Sequence, residues 1–373
     1  MSSTSIPADA SRVEQELRHL WRHEAEKSSA GPVLCSRTLN LLVYCRNFAD
    51  AQRATGLLDP IISNHPCRAI VLSPAPPDSP EEIHTEVSAS CLTSHAGNRY
   101  IGRELVSLAA KPSAHPRLAS IVRALVLPDL PVFLWWRDVR SLGTELFRQL
   151  SDLAERIIVD SAGLEDLPAN WSGVQALVER PNLAVSDLAW SRLTPWRQLI
   201  AQLFDGPARA SYLRQLRRIV VEFGEESGVP IVPADALLLG AWLARQLGFK
   251  HPRSVAPEGV PEQQTVTWEL SSGDSRLRVE LRHGKRAGAG VTAVFLTCSE
   301  GRAVFAVSRT QDGKGLATRA ELPGQTPMRR LVRIGDESAS RLVSSELEIL
   351  GRDLLYEDVL RLASELPPAL SRV

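Results

Sequence analysis

The chain has 373 residues, 44% of them hydrophobic and 23% charged, which is enough for a well-buried core and more than one domain. Forty-three basic side chains balance forty-three acidic ones, which excludes a partner held by a general positive excess, such as nucleic acid or an anionic membrane surface. No segment reaches the roughly 18–20 apolar residues of a membrane span. The opening MSSTSIPADASRVEQELRHLW holds no apolar signal region, so a cytoplasmic location is expected.

From the N-terminus, Val13, Leu17, Leu20 and Trp21 share one stripe, and an amphipathic helix is expected over residues 11–27, in an N-terminal arm of residues 1–30. Thr38–Cys45 reads as a strand, Phe48 through Ile62 as a helix and Arg68–Leu72 as a strand ended by SPAPPDSP; a further strand is expected within Ile83–Leu92. Ser113–Leu125 predicts a helix, Val132–Trp136 a strand, Gly143–Leu153 a helix and Arg156–Val159 a strand. Near-continuous apolar strands alternating with helices predict an α/β domain over residues 31–168, its mostly parallel sheet covered on both faces.

Beyond it, an α+β domain of helices plus an antiparallel meander is expected over residues 169–373. Thr194 reads as an N-cap with Pro195 at the first helical position. A second helix is predicted from Ala208 to Phe223, burying Leu213, Leu216, Val220 and Phe223, and a third over Ala234–Leu247. His251–Gln264 reads as a connector. In RLRVELRH, Leu277, Val279 and Leu281 alternate with Arg276, Arg278, Glu280 and Arg282, and Val291–Cys298, Ala303–Arg309 and Arg329–Ile334 continue the strand pattern. Gly284, Gly288 and Gly290 read as a hairpin turn, and a last helix over Ser344–Leu366 would cover the sheet's other face.

Motifs of chemistry are sparse. Neither phosphate-cradling glycine loop is present, and Ser161 in VDSAG lacks the first glycine of a nucleophile elbow. His19 and His23 stand four apart without a third ligand, so no metal and no cofactor is expected. Cys35, Cys45, Cys67, Cys91 and Cys298 are odd in number with no C-x-x-C pair, and read as buried small hydrophobes. Asp138, Asp160 and Ser161 follow strands, where ligands approach an open sheet, but such residues there also cap helices. Arg209, Arg214, Arg217 and Arg218 read as one solvated helix face.

Two tryptophan-rich blocks carry the strongest signal. LPDLPVFLWWR (Leu127–Arg137) holds Trp135 and Trp136, and VSDLAWSRLTPWRQLIAQLFD (Val185–Asp205) holds Trp190 and Trp196. Arg137, Asp187, Arg192 and Arg197 are interleaved with them, the mixture of aromatic anchor and arginine that protein interfaces favour. These eight residues form the candidate partner-binding set, with packing inside the chain as the competing reading. Trp135 and Trp136 must face opposite sides of their sheet, so one joins the core and the other needs a helix, a neighbouring domain or a partner over it.

With RTLNLLVYC, NHPCRAIVL and RIIVDS, these blocks resemble the glucose-6-phosphate dehydrogenase assembly protein (OpcA) family. The resemblance implies an N-terminal α/β domain, a C-terminal domain opening near DLAW, and no catalysis. It implies one protein partner, glucose-6-phosphate dehydrogenase of the oxidative pentose phosphate pathway, whose active oligomer the chain would support as an assembly factor or allosteric activator. The competing expectation is an α/β enzyme or sensor that binds a sugar phosphate or nucleotide near Asp160 and Arg137.

Overall fold

Strands buried at every position, such as LNLLVY and VFLWW, leave neither face free for water and demand layers on both sides. A computed structural model describes residues 4–27, 37–93, 100–164, 167–224, 232–255, 265–286, 288–298, 302–349 and 351–365. The chain divides into two compact units, one of Met1–Asp160, Leu177–Leu188 and Ser338–Arg352, the other of Ser161–Ala176, Ala189–Glu337 and Asp353–Val373.

The first unit takes β1 (Thr4–Ile6), α1 (Ala10–Lys27), β2 (Leu39–Tyr44), α2 (Phe48–Asn64), β3 (Cys67–Pro74), β4 (Ile83–Thr93), β5 (Tyr100–Ala110), α3 (His115–Leu125), β6 (Val132–Trp136), α4 (Glu145–Ser151) and β7 (Arg156–Val159). After α5 (Leu167–Val178), β8 (Ala184–Asp187) completes its sheet, in the order β1-β4-β5-β3-β2-β6-β7-β8. The strands β5, β3, β2, β6, β7 and β8 are mutually parallel, as expected, while β4 and β1 add an antiparallel edge. Numbered in chain order, the parallel strands run 3-2-1-4-5-6, the arrangement of the dinucleotide-binding Rossmann sheet, with its switch point between β2 and β6.

Strand β5 was not foreseen because Arg103 and Glu104 interrupt its apolar run. Glu104 is 1% exposed and accepts hydrogen bonds from Arg68 Nε (2.9 Å), Trp21 Nε1 (2.6 Å) and Arg37, a network that ties α1 to the sheet. Asn40 does similar work from β2: its amide donates to Leu127 O and accepts from Leu127 N, fixing the turn that enters β6.

The second unit opens with α6 (Leu188–Arg192), α7 (Thr194–Leu203), α8 (Pro207–Ala210), β9 (Leu216–Gly224), α9 (Ala234–Gln246), β10 (Lys250–Ser254) and β11 (Thr265–Ser272). It continues through β12 (Ser275–His283), β13 (Gly290–Cys298), β14 (Ala303–Arg309), β15 (Gly315–Glu321) and β16 (Met328–Arg333). Its sheet runs β10-β11-β12-β9-β13-β14-β15-β16, antiparallel except where β12 meets β9. Leu277, Val279 and Leu281 face a buried layer against α9, as their alternation requires.

Five expectations are corrected here, the first being that residues 251–254, read as the start of a connector, belong to the edge strand β10. Residues 216–223, read as the end of a helix, lie in β9 at the centre of the sheet; Ile219, Val220 and Val221 are β-branched and pair with strands on both sides. The four arginines assigned to one helix face are therefore dispersed, and Arg218 makes two 2.7 Å hydrogen bonds to Glu280. The glycines after β12 form no hairpin, because β9 lies between β12 and β13; an added Cβ on Gly224 would meet Gly288 O at 2.0 Å where the loop passes the end of β9. The last helix is two helices, α10 (Ala339–Glu346) packed on α2 in the first unit and α11 (Leu354–Glu365) packed on α9 in the second. Between them the carbonyls of Ile349 and Gly351 accept hydrogen bonds from Arg156.

Candidate functional site

In an open α/β sheet, ligands enter where the carboxyl ends of the strands diverge at the switch point. Here that position lies beyond β2 and β6, where Cys45, Arg46 and Asn47 follow one strand and Arg137 the other. Asn47 caps α2, its side chain accepting from Asp50 N at 2.8 Å. Asp50, in the first turn, is 6% exposed. Its carboxylate receives Arg137 Nη2 at 2.8 Å and Nε at 3.2 Å, the Arg46 N–H at 3.3 Å and Arg53 Nη2 at 3.3 Å.

The electrostatics follow from that arrangement. Burial opposes the charged carboxylate, but the hydrogen bonds and charge of Arg137, with Arg46 N–H and Arg53, outweigh it and hold the Asp50 carboxyl below its ordinary value. Arg137 is likewise raised: burial opposes its charge, and Asp50 more than compensates. In dinucleotide-binding sheets this helix N-terminus receives a pyrophosphate. In this chain an internal carboxylate stands at the same terminus. A phosphate there would have to displace Asp50 from Arg137, Arg53 and the Arg46 N–H, donors that this carboxylate already occupies.

The expected site residues fall into separate groups. Trp135 is 1% exposed, lies in the core cluster under α2, and carries the Arg137 guanidinium 4.6 Å from its ring centroid. Trp136, fully buried, faces the other way: it stacks on Tyr44 at 3.8 Å, meets Phe147 of α4 edge-on at 4.9 Å, and donates to Asp138 O and Ser141 Oγ. Asp138 thus contributes its carbonyl and makes no side-chain cap. Asp160 is half-buried just past β7, and Ser161, fully buried, opens the second unit.

In the second block, Asp187 ends β8 at 1% exposure and Arg192, half-buried, ends α6. Trp190 is 4% exposed, with the Arg197 guanidinium 3.4 Å above its ring and Tyr356 at 5.8 Å. Its Nε1 donates to Asp353 Oδ2 at 2.8 Å, and Asp353 Oδ1 accepts from Tyr356 N to start α11. Trp196 is 1% exposed, with Arg309 at 5.9 Å. Thr194 is not the cap of α7 but its first residue; the cap is Leu193, and Thr194 Oγ1 accepts from Arg197. All four indoles are sealed, so in this conformation they are packing anchors and offer no ring surface to a partner. Their size made burial inside the chain the larger gain.

Asp50 was missed from the sequence, although an asparagine three residues ahead of an aspartate after a strand is a start signal for a helix. Cys45, Cys67 and Cys298 are buried, and burial pushes their thiols up to about 12, 12 and 11. Cys35 and the Cys91 side chain lie outside the described residues. Among the described residues no group of three or more His, Cys, Asp or Glu is placed to hold a metal ion, and no helix is long and apolar enough to cross a membrane.

The family model for the N-terminal domain of a glucose-6-phosphate dehydrogenase subunit matches residues 59–176, and that for its C-terminal domain matches residues 183–360. The chain belongs to this family, OpcA. Relatives named as OpcA proteins of the OxPP cycle are 26% identical over 313 residues in Nostoc punctiforme (82% of this chain, 66% of the relative) and 29% identical over 318 residues in Synechococcus elongatus (83% and 69%). The matched part of this OpcA-family chain spans about two thirds of those relatives' length. Among solved structures, a 3-ketoreductase from Actinomadura kijaniata, crystallised with NADP and TDP-benzene, shares the fold, with a TM-score of 0.50 and 12% identity over 88% of this chain and 95% of that one.

Proposed function

We propose that this chain is a non-catalytic subunit that binds glucose-6-phosphate dehydrogenase and favours its active oligomer in the oxidative pentose phosphate pathway. Membership of a family described as a subunit of that enzyme supports the partner. The single observation that most supports the absence of catalysis is the Asp50–Arg137 pair: in a sheet whose order suits dinucleotides, the phosphate position at the head of α2 is taken by the chain's own anion. That carboxylate is ionised and fully engaged, so it is neither a phosphate receptor nor a poised base.

A protein of this kind acts by binding one conformation or assembly of its target better than another. A tenfold shift of that equilibrium needs only about 1.4 kcal/mol of differential contact. Co-purification of the chain with the dehydrogenase of the same organism, with NADPH formation followed as the chain is titrated in, tests the proposal. Co-elution with a changed KM or kcat is expected; no co-elution and unchanged kinetics would overturn it.

A further inference from the structure

The two edges of the second unit's sheet, β10 and β16, differ in how far they are protected against pairing. Strand β10 carries Pro252, a register shift between Lys250 and Arg253, and His251 at φ 55°, devices that spoil pairing with another strand. Strand β16 has none of these. It pairs with β15 through six uninterrupted positions and contains no proline. Just past it, Ile334 N–H donates to Lys314 O, so the even-numbered residues bond inward and the main-chain groups of Arg329, Leu331 and Arg333 point off the edge.

This free edge is apolar and basic together. Leu331 is 71% exposed and Met328 53%. Beside the strand, a groove of about 390 Å³ runs between β15–β16 and α7–α8, lined by Leu199, Leu203 and Met328 and by Arg209, Arg329 and Arg330 against one acid, Asp205. Arg329, Arg330, Arg333 and Arg209 have no carboxylate within ion-pair distance among the described residues; Arg330 reaches Gln202 and Arg209 the carbonyl of Asp205. Most other arginines near the strand are paired, as Arg319 is with Glu321 and Arg309 with Glu337.

We propose that β16 is a docking strand that receives an extended acidic segment of a partner protein, which adds to the sheet by main-chain pairing and places an apolar side chain against Leu331 or in the groove. Charge decides the occupant. Antiparallel pairing of MRRLVR with a second copy would bring arginines against arginines, whereas an acidic strand neutralises them. Resting on the function proposed above, the partner segment belongs to glucose-6-phosphate dehydrogenase.

The test measures the affinity of the full-length chain for that dehydrogenase in wild type and three variants. Arg329→Glu/Arg333→Glu is expected to weaken binding by about tenfold or more without altering thermal unfolding, because among the described residues neither arginine has a carboxylate within ion-pair distance to lose. Arg329→Lys/Arg333→Lys should retain binding, and Arg253→Glu on the opposite edge should leave it unchanged. In the complex, the amides of Arg329, Leu331 and Arg333 should gain hydrogen-exchange protection. Wild-type binding with an unaffected Glu variant and no added protection would overturn the docking strand alone. A wild type that does not bind the dehydrogenase would overturn the functional reading and this inference with it. Self-association lost only in the Glu variant would reassign the edge to a second copy and overturn the acidic-partner proposal.

Discussion

Arg137 grips Asp50 with two hydrogen bonds, at 2.8 Å and 3.2 Å, directly at the N-terminus of α2. The pair joins the first turn of α2 to the loop after β6, beside the two parallel strands at which the strand order reverses. The side chains of Asp50 and Arg137 are 9% and 18% exposed, so removing one leaves the other poorly solvated. Asp50→Ala is expected to cost about 3 kcal/mol of unfolding free energy in urea titration.

The same pair makes a pH prediction. Because the folded Asp50 carboxyl lies below its ordinary value, its contribution is fully present above the unfolded value of about 3.9 and is lost as pH falls through the folded one. Stability measured from pH 6 downward should therefore fall more steeply in wild type than in Asp50→Asn, which has no such proton to take up.

If the carboxylate keeps phosphates out, neither NADP nor glucose 6-phosphate should raise the unfolding temperature of the isolated chain. A saturable, specific shift with either would favour the enzyme or sensor reading instead.

Trp190 and Asp353 should be coupled. Trp190→Phe keeps the ring between Arg197 and Tyr356 but removes the N–H that Asp353 accepts, a loss of about 1.5–3 kcal/mol for a bond to a charged group. Asp353→Ala loses that bond and the α11 cap together, and the double variant should cost clearly less than the two added.

Gly290 adopts φ 69°, and a Cβ there would meet Asp235 Oδ2 at 2.3 Å, where Asp235 accepts from the N–H groups of Val291 and Ala236. Gly290→Ala should destabilise the chain by about 2 kcal/mol or more in thermal unfolding, because backbone strain and displacement of the half-buried Asp235 side chain add.

With Cys35 and Cys91 replaced by serine, the native chain should be inert to thiol reagents at pH 8. At that pH fewer than about one in a hundred of the Cys45, Cys67 and Cys298 thiols is ionised. Reaction should begin only as denaturant unfolds the chain; rapid labelling of the native form would contradict their burial.

The parallel sheet was legible because β2, β3, β6 and β7 are short, near-continuous apolar runs separated by helical stretches. Strand β9 was not, because Leu213, Leu216, Val220 and Phe223 imitate a helical stripe while Ile219 and Val221 carry the strand preference. The aromatic blocks identified the family but not their own placement: burial depends on what the rest of the chain lays over them, as α4 lies over Trp136. Asp50 was hidden for the opposite reason, since its partner Arg137 lies far along the chain. Nor does alternation alone tell which strand ends the sheet, so β16 gave no sign of its free edge.

The chain returns to its first unit late. Residues 338–352 bring α10 onto α2, and Val343 and Leu347 complete a cluster with Ala54, Leu58 and Ile61. A fragment cut after β8 would strip this lid from those side chains and leave an apolar scar on an otherwise finished sheet. Dissection by simple truncation would then yield an aggregating stub, whereas a circular permutant or a fragment pair that supplies α10 in trans would keep the unit whole.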